Sequence, residues 1–104
     1  MKLWIDDLRP APEGYIWHKA INPAIRFIRE NHWLIDTISL DHDAGDFRRG
    51  GKEDYIVILD ELERLSRNGT ISCNHISFRL HSMNPVGVEN MRRIIQRNGW
   101  KEVL

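Results

Sequence analysis

Three short apolar segments of this chain each stop abruptly at polar side chains, and helical patterns separate them. Residues 2–5 stop at Asp6-Asp7, residues 35–40 at Asp41-His42-Asp43, and residues 76–80 at His81-Ser82. Short apolar runs bounded in this way are typical of buried strands in a parallel sheet. Strands that alternate with helices imply right-handed crossover connections and a sheet covered on both faces. We therefore predict an α/β fold, a small three-layer sandwich around a mainly parallel sheet.

The remaining segments complete this pattern. Tyr15-Ile16-Trp17 predicts a second strand, and apolar residues at helical spacing predict helices that run to about Asn31, from about Glu53 to Ser66, and up to Asn98-Gly99. Asn22-Pro23 and Asn84-Pro85 are expected to cap the first and last of these helices. We expect Trp33 and Leu34 to pack beneath the first helix, and Trp4, Trp17 and Trp33 to belong to the core. Residues 100–104 predict either an edge strand or a tail.

The composition limits the classes of function. With 104 residues and 41% apolar side chains, the chain is expected to form one domain over residues 1–104. Fifteen basic and fifteen acidic residues leave no net charge, which disfavours binding to extended duplexes or to anionic membranes. One cysteine, Cys73, excludes an internal disulfide, and the first residues lack the organisation of a signal peptide. We expect a cytoplasmic protein.

Four carboxylates follow the first and middle strands, at Asp6, Asp7, Asp41 and Asp43. The carboxyl ends of parallel strands converge at one edge of an open sheet, so these groups are predicted to meet there. They would repel one another unless some were protonated or a cation neutralised them. Oxygen ligands favour Mg²⁺, Mn²⁺ or Ca²⁺, of which we expect Mg²⁺ or Mn²⁺, and nearby histidines permit Zn²⁺ as a less favoured choice. Asp6-Asp7 alone is equally compatible with an ordinary strand-end turn.

Two histidines, His42 and His81, are predicted at the same edge. Because imidazole titrates near neutral pH, the two are candidates for a general acid and a general base. Arg9, Ser82 and Asn84 are candidates for phosphate binding, with Arg48 and Arg49 as further cations. His18, His32 and His75 lie outside this set and are expected to be surface or packing residues.

These segments together resemble a known family. Leu3-Trp4-Ile5-Asp6-Asp7-Leu8-Arg9-Pro10, Ser39-Leu40-Asp41-His42-Asp43 and His81-Ser82-Met83-Asn84-Pro85-Val86-Gly87 are similar to response-regulator receiver domains, and more closely to the cyclic-phosphate processing receiver-like family. The resemblance implies a truncated receiver-like, flavodoxin-like topology. It matches Asp6 and Asp7 to the metal-binding acidic pair, Asp41 to the phospho-accepting position, and Ser82 to the conserved hydroxyl.

The chain also departs from receivers. The loop 8–14 stands where a helix is expected, which suggests too few elements for a full five-stranded receiver. No lysine of the kind that receivers place after their fifth strand is evident, since the context of the only late candidate, Lys101, is wrong. Loss of that lysine, together with His42 and His81, argues against phosphorelay signalling.

The resemblance to the cyclic-phosphate family implies a phosphoesterase, a hydrolase that processes cyclic phosphates of RNA ends or nucleotides. In this hypothesis one of His42 and His81 activates water and the other protonates the departing oxygen. Asp41 belongs to the catalytic set, and Asp6, Asp7, Asp41 and Asp43 hold a metal or orient the imidazoles. A variant route uses Asp41 as the nucleophile. The alternative is a non-catalytic receiver-like module that binds metal or phosphate and signals through a protein partner. A His-Asp metal phosphohydrolase is disfavoured because that family is all-helical.

Overall fold

Five short parallel strands form one sheet in the computed structural model, which describes residues 1–47 and 53–104. The strand order is β2-β1-β3-β4-β5, and every neighbouring pair is parallel. The strands are β1 (Lys2–Ile5), β2 (Tyr15–His18), β3 (Thr37–Leu40), β4 (Ser77–Leu80) and β5 (Lys101–Glu102). This order is the flavodoxin-like one and confirms the predicted receiver-like α/β class. Lys101–Glu102 forms the edge strand, so the sheet has five strands, and the helix expected after β1 is replaced by the loop 8–14 as predicted.

Three α-helices connect the strands: α1 (Ile21–Asn31), α2 (Ile56–Arg67) and α3 (Pro85–Arg97). Each carries the chain in the same direction across the sheet, so right-handed crossovers place all three on one face. Five strand residues on this face are apolar and buried: Leu3, Ile5, Ile38, Leu40 and Phe78. The hydrophobic core therefore lies between the helices and this face.

The opposite side of the sheet carries a different set of side chains, which we call the open face: Lys2, Trp4, Tyr15, Trp17, Thr37, Ser39, Ser77, Arg79 and Lys101. Of the three layers expected, the third is here a loop and not a helix. Residues 6–14 lie against this face, where the indole N–H of Trp4 donates to the carbonyl of Arg9 (2.9 Å). The indole N–H of Trp17 likewise donates to the carbonyl of Asp6 (2.8 Å).

The start of α3 agrees with the prediction, whereas α1 and α2 begin at other residues than expected. Helix α1 begins at Ile21 after Ala20, so Asn22 does not cap it and Pro23 is its third residue. Proline is tolerated there because the first-turn N–H groups have no acceptor within the helix. Asn84 caps α3 as predicted, since its side-chain oxygen accepts from the N–H of Gly87 (3.0 Å). Helix α2 begins at Ile56, three residues after the expected start.

Two tryptophans expected in the core are on the surface. Trp33 is 61% exposed and Leu34 is 53% exposed, because the short 3-10 helix His32–Leu34 turns the chain away from the core after α1. Trp17, at the edge strand β2, is 37% exposed. Only Trp4 of the three is buried, as predicted.

Candidate active site

Asp6, directly after β1, is buried, and both of its carboxylate oxygens have hydrogen-bond partners. Its Oδ1 accepts from the backbone N–H groups of Leu8 (2.9 Å) and Arg9 (3.0 Å), and its Oδ2 lies 2.9 Å from Nε2 of His81. Burial opposes ionisation, but the two backbone N–H groups and His81 outweigh it and lower the pKa of Asp6. Asp6 is therefore a carboxylate at neutral pH.

His81, directly after β4, has a partner at each ring nitrogen. Nδ1 lies 2.8 Å from Oγ of Ser39, and the ring stacks on Trp4 with centroids 3.8 Å apart. Burial lowers the pKa of His81 although Asp6 opposes this, and the side chain is only 8% exposed. The imidazole is then neutral, with Nε2–H donating to the Asp6 carboxylate and Nδ1 accepting from the Ser39 hydroxyl.

Ser39, His81 and Asp6 thus form a hydrogen-bonded chain like that of a serine nucleophile. Ser39, however, is completely buried in the middle of the sheet on β3, so its hydroxyl cannot reach a substrate. Arg9 adds a further tie, because its Nη1 donates to the carbonyl of His81 (2.6 Å) and its Nε lies 4.0 Å from Oδ2 of Asp6. This chain holds the ends of β1 and β4 in place.

Three carboxylates, Asp6, Asp7 and Asp41, form one potential metal-ligand group, with ligand oxygens that all lie within 4.8 Å of one another. Asp6 and Asp41 are buried. Gly45 leaves room for Asp7, since a Cβ there would lie 2.1 Å from Oδ2 of Asp7. Such clustering is unfavourable unless a cation balances it, and an all-oxygen set suits Mg²⁺ or Mn²⁺. These three carboxylates could therefore hold a metal ion.

His42 belongs to a second group, with Asp43 and Asp54, whose ligand atoms also lie within 4.8 Å of one another. Nδ1 of His42 lies 3.0 Å from Oδ1 of Asp43, and among the described residues Nε2 has no hydrogen-bond partner. The sequence predicts that Asp43 joins Asp6, Asp7 and Asp41, but in the structure it belongs to the group of His42. The structure brings the four acids to one edge, but in two groups.

The ring of His42 packs against the start of α3. A Cβ on Gly87 would lie 2.4 Å from Cγ of His42, so only glycine leaves room for the ring. The amide nitrogen of Asn84 lies 3.4 Å from Nδ1 of His42 and from Oδ1 of Asp43. The main chain of His42 is fixed as well, because its carbonyl accepts from the N–H of Tyr55 (2.9 Å).

The candidate phosphate ligands surround the same edge. Oγ of Ser82 accepts from the N–H of Asn84 (3.1 Å), so both residues build the turn that begins α3. A helix N-terminus attracts anions because its first N–H groups point outward. The side chain of Arg9 is 43% exposed, which leaves its guanidinium accessible. Arg48 and Arg49 lie outside the described residues.

The sequence did not indicate five residues that shape this edge: Trp4 as a stacking partner, Ser39, Gly45, Asp54 and Gly87. A signal existed for Ser39, because it is a polar residue within an apolar strand and two residues before Asp41, hence on the same side. The three other histidines lie apart: His18 packs on Phe27, and Nε2 of His75 contacts the carbonyl of His32. Two surface cavities lie away from this edge, one beside Cys73 and Trp100 and one between α1 and α2.

The parallel sheet in this order, with acidic residues after β1 and β3, defines a receiver-like domain. Residues 1–97 match the sequence profile of the Cyclic-phosphate processing Receiver domain family, and the chain belongs to that family. No curated protein and no solved structure gave a significant match. Among the described residues, no helix has the length and apolar character needed to cross a bilayer.

Proposed function

We propose that the protein is a phosphoesterase that opens a cyclic phosphate at the carboxyl edge of the sheet. The observation that carries this proposal is the setting of His42. Its Nδ1 contacts Asp43, its Nε2 has no partner among the described residues, and the acidic group of Asp6, Asp7 and Asp41 begins one residue away. An imidazole backed by a carboxylate through one nitrogen keeps the other nitrogen for proton transfer.

In this reaction a water oxygen bonds to phosphorus and one ring P–O bond breaks. His42 takes the water proton at Nε2, the departing oxygen takes a proton from solvent water, and the imidazolium of His42 then returns its proton to solvent, so that a phosphomonoester with a free hydroxyl results. Asp43 holds the tautomer of His42 and stabilises the imidazolium that forms. Gly87 keeps the ring in this position because it leaves the space that the ring occupies.

His81 has a different role in this proposal. Both its ring nitrogens are engaged, by Asp6 and by Ser39, so proton transfer to a substrate would break one of these contacts. We assign His81 as a positioning residue that orients the Asp6 carboxylate. Of the predicted acid–base pair, His42 alone transfers a proton in this proposal, and His81 positions Asp6.

Asp6, Asp7 and Asp41 would hold a divalent cation, Mg²⁺ or Mn²⁺, which when bound draws charge from the phosphate oxygens. Arg9 lies beside this group, with its Nε 4.0 Å from Oδ2 of Asp6. Ser82 and Asn84 build the start of α3 at the same edge of the sheet. They would bind the non-bridging phosphate oxygens through the guanidinium and the helix N–H groups.

A phosphorelay role is less well supported. In β5, Lys101 pairs with Ser77 at the amino end of β4, so it lies at the edge of the sheet opposite to Asp41. No lysine of the described residues therefore takes the strand-end position that receivers use after their fifth strand. The non-catalytic module remains the alternative, and it predicts binding of metal or phosphate without turnover.

Turnover of 2′,3′-cyclic mononucleotides, followed by ³¹P NMR, tests the proposal. We expect conversion to a monoester in the presence of Mg²⁺ or Mn²⁺. His42→Ala should abolish it, whereas His75→Ala, a control at an exposed histidine far from this edge, should leave it unchanged. Binding of metal with no conversion by the wild type would support the non-catalytic alternative instead.

A further inference from the structure

A surface cavity lies between the first two helices, and we call it the α1–α2 cavity. It is lined by Asn22, Ile25, Arg26 and Arg29 of α1 and by Glu61 of α2. The four α1 residues recur at intervals of three and four, so they share one face of the helix, the one turned toward α2. The cavity measures about 280 Å³ and opens to solvent. It is separate from the carboxyl edge, because none of the residues assigned to the candidate active site lines it.

Arg26 and Arg29 bring two positive charges to one wall of this cavity. Both residues are exposed, and neither has a hydrogen-bond or ion-pair partner among the described residues. Glu30 follows Arg26 by four residues, the spacing of a helical ion pair, yet no ion pair joins the two in the described part of the chain. Neighbouring like charges on a helix repel each other, so an anion held between the two guanidinium groups would stabilise them.

Other arginines without an acidic partner do not share a cavity. Arg79 on the open face and Arg93 on α3 are exposed and form no ion pair among the described residues, but neither lines either of the two surface cavities. A single solvated arginine is ordinary on a protein surface. Arg26 and Arg29 are distinguished because their side chains converge on one concave site, with the partly buried Ile25 beside them.

Glu61 forms the opposite wall and limits the charge that the cavity accepts. Its carboxylate is bound by the guanidinium of Arg64, whose Nε lies 3.2 Å from Oε1 and 3.1 Å from Oε2. This pair balances its own charge, so the two arginines of α1 carry the excess charge of the cavity. Two positive charges match a phosphomonoester, which carries about 1.5 to 2 negative charges at pH 7. Further anionic groups on a ligand would approach Glu61 and be repelled.

We propose that the α1–α2 cavity binds a small phosphomonoester whose organic part is uncharged, such as a sugar phosphate. The guanidinium groups of Arg26 and Arg29 donate to the phosphate oxygens, for which their planar forks are suited. The side chain of Ile25 contacts the carbon skeleton, and Glu61 stays paired with Arg64. The volume lies just below the range of about 300–1,000 Å³ that drug-sized ligands occupy, so it suits a ligand of this size. Binding here is independent of the reaction proposed at the carboxyl edge.

The test compares two doubly substituted proteins with the wild type. Arg26→Gln/Arg29→Gln removes both cations of the cavity, and Arg79→Gln/Arg93→Gln removes two exposed arginines that line neither cavity. Each ¹⁵N-labelled protein is titrated with ribose 5-phosphate, and the shifts of its amide and arginine Nε–H resonances give the place and the Kd of binding. We expect saturable shifts at residues 22–29 of the wild type and of the control variant, and a Kd at least about tenfold higher in the cavity variant. The same spectra show whether each variant is folded.

Ribose without phosphate separates recognition of the phosphate from recognition of the sugar, and it should cause no saturable shift at residues 22–29. Equal binding of ribose, or an equal loss of binding in both variants, would overturn the proposed site. Shifts confined to the carboxyl edge, around Arg9 and Asn84, would overturn it as well and leave the phosphoesterase standing. Saturable binding at the cavity without turnover of a cyclic phosphate would support the site and count only against the phosphoesterase.

Discussion

Nε2 of His81 lies 2.9 Å from Oδ2 of Asp6, and this contact joins the ends of β4 and β1 across the intervening strand β3. Both partners are buried at the end of the sheet, so the hydrogen bond replaces water for each of them. Ser39, on β3 itself, completes the link, because its Oγ lies 2.8 Å from Nδ1 of His81. Three strands are thus tied together at the edge where the carboxylates meet.

This link predicts an acid-sensitive fold. Burial lowers the pKa of His81 below its ordinary value of 6.5, so the unfolded chain takes up a proton at higher pH than the folded one. The stabilisation is complete above about pH 6.5 and is lost as the pH falls through the lower, folded-state pKa. Each extra proton bound by the unfolded state lowers the unfolding free energy by about 1.4 kcal/mol per pH unit. Asp6, whose folded-state pKa is also lowered, adds a second loss below its ordinary value of 3.8.

Urea denaturation between pH 7 and 5 measures this dependence. His81→Gln should reduce the slope of unfolding free energy against pH, because the titrating group is gone. His18 should keep part of the slope in that variant, since burial lowers its pKa too. A slope in His81→Gln identical to that of the wild type would contradict the neutral, buried imidazole.

Removal of the Ser39 hydroxyl should destabilise the same link. In Ser39→Ala, Nδ1 of His81 loses its partner in a buried setting, at a cost of about 1–3 kcal/mol in unfolding free energy. Ser77→Ala is the matched control. Ser77 is on the same face of the sheet as Ser39, but it lies at the amino end of β4 and is only half-buried. Urea denaturation of both variants should show the larger loss in Ser39→Ala; equal losses would mean that the hydroxyl contributes nothing specific.

Metal binding should depend on one acidic group and not on the other. Mg²⁺ or Mn²⁺ at about 100 times its Kd should raise the unfolding free energy by about 2.7 kcal/mol, because only the folded chain assembles the ligands. Asp7→Asn removes a ligand of the group that contains Asp6 and Asp41 and should abolish this gain. Asp43→Asn, in the group of His42, should keep it. Thermal unfolding with and without metal measures the difference, and the reverse pattern would place the ion at His42.

The position of His42 should be sensitive to one methyl group. In Gly87→Ala, the new Cβ would meet the imidazole, which must move. A displacement of about 1 Å is enough to reduce the rate about 100-fold. Alanine is also the better helix former, so the folded state of α3 should persist. Asn90→Ala, an exposed site on the same helix, is the control; full activity in Gly87→Ala would show that the ring need not lie where it does.

The edge at which these groups meet could be predicted because each apolar run ends in polar residues and parallel strands end together. Their arrangement within the edge could not. Asp41 and Asp43 are two residues apart, but β3 has already ended at Leu40, and between them the carbonyl of His42 accepts from the N–H of Tyr55. The two carboxylates therefore enter different groups. Strand alternation is no guide once a strand has ended.

The open face was also hidden in the sequence. Trp17 is a large aromatic residue, which the sequence predicts to be in the core. Its exposure follows only from the edge position of β2 and from the loop that replaces a covering helix. Likewise, Asn22-Pro23 and Asn84-Pro85 are the same dipeptide, yet only the second caps a helix. Asn84 gains hydrogen bonds at the candidate active site, whereas Ala20 already begins the first turn of α1.

Chemical rescue of His42→Ala is the most direct test of proton transfer by this residue. Opening of a 2′,3′-cyclic mononucleotide is measured for the wild type and for His42→Ala, each with and without added imidazole. We expect turnover by the wild type, none by the variant, and partial recovery when imidazole supplies the missing nitrogen. Undiminished turnover by His42→Ala without imidazole would contradict proton transfer by His42.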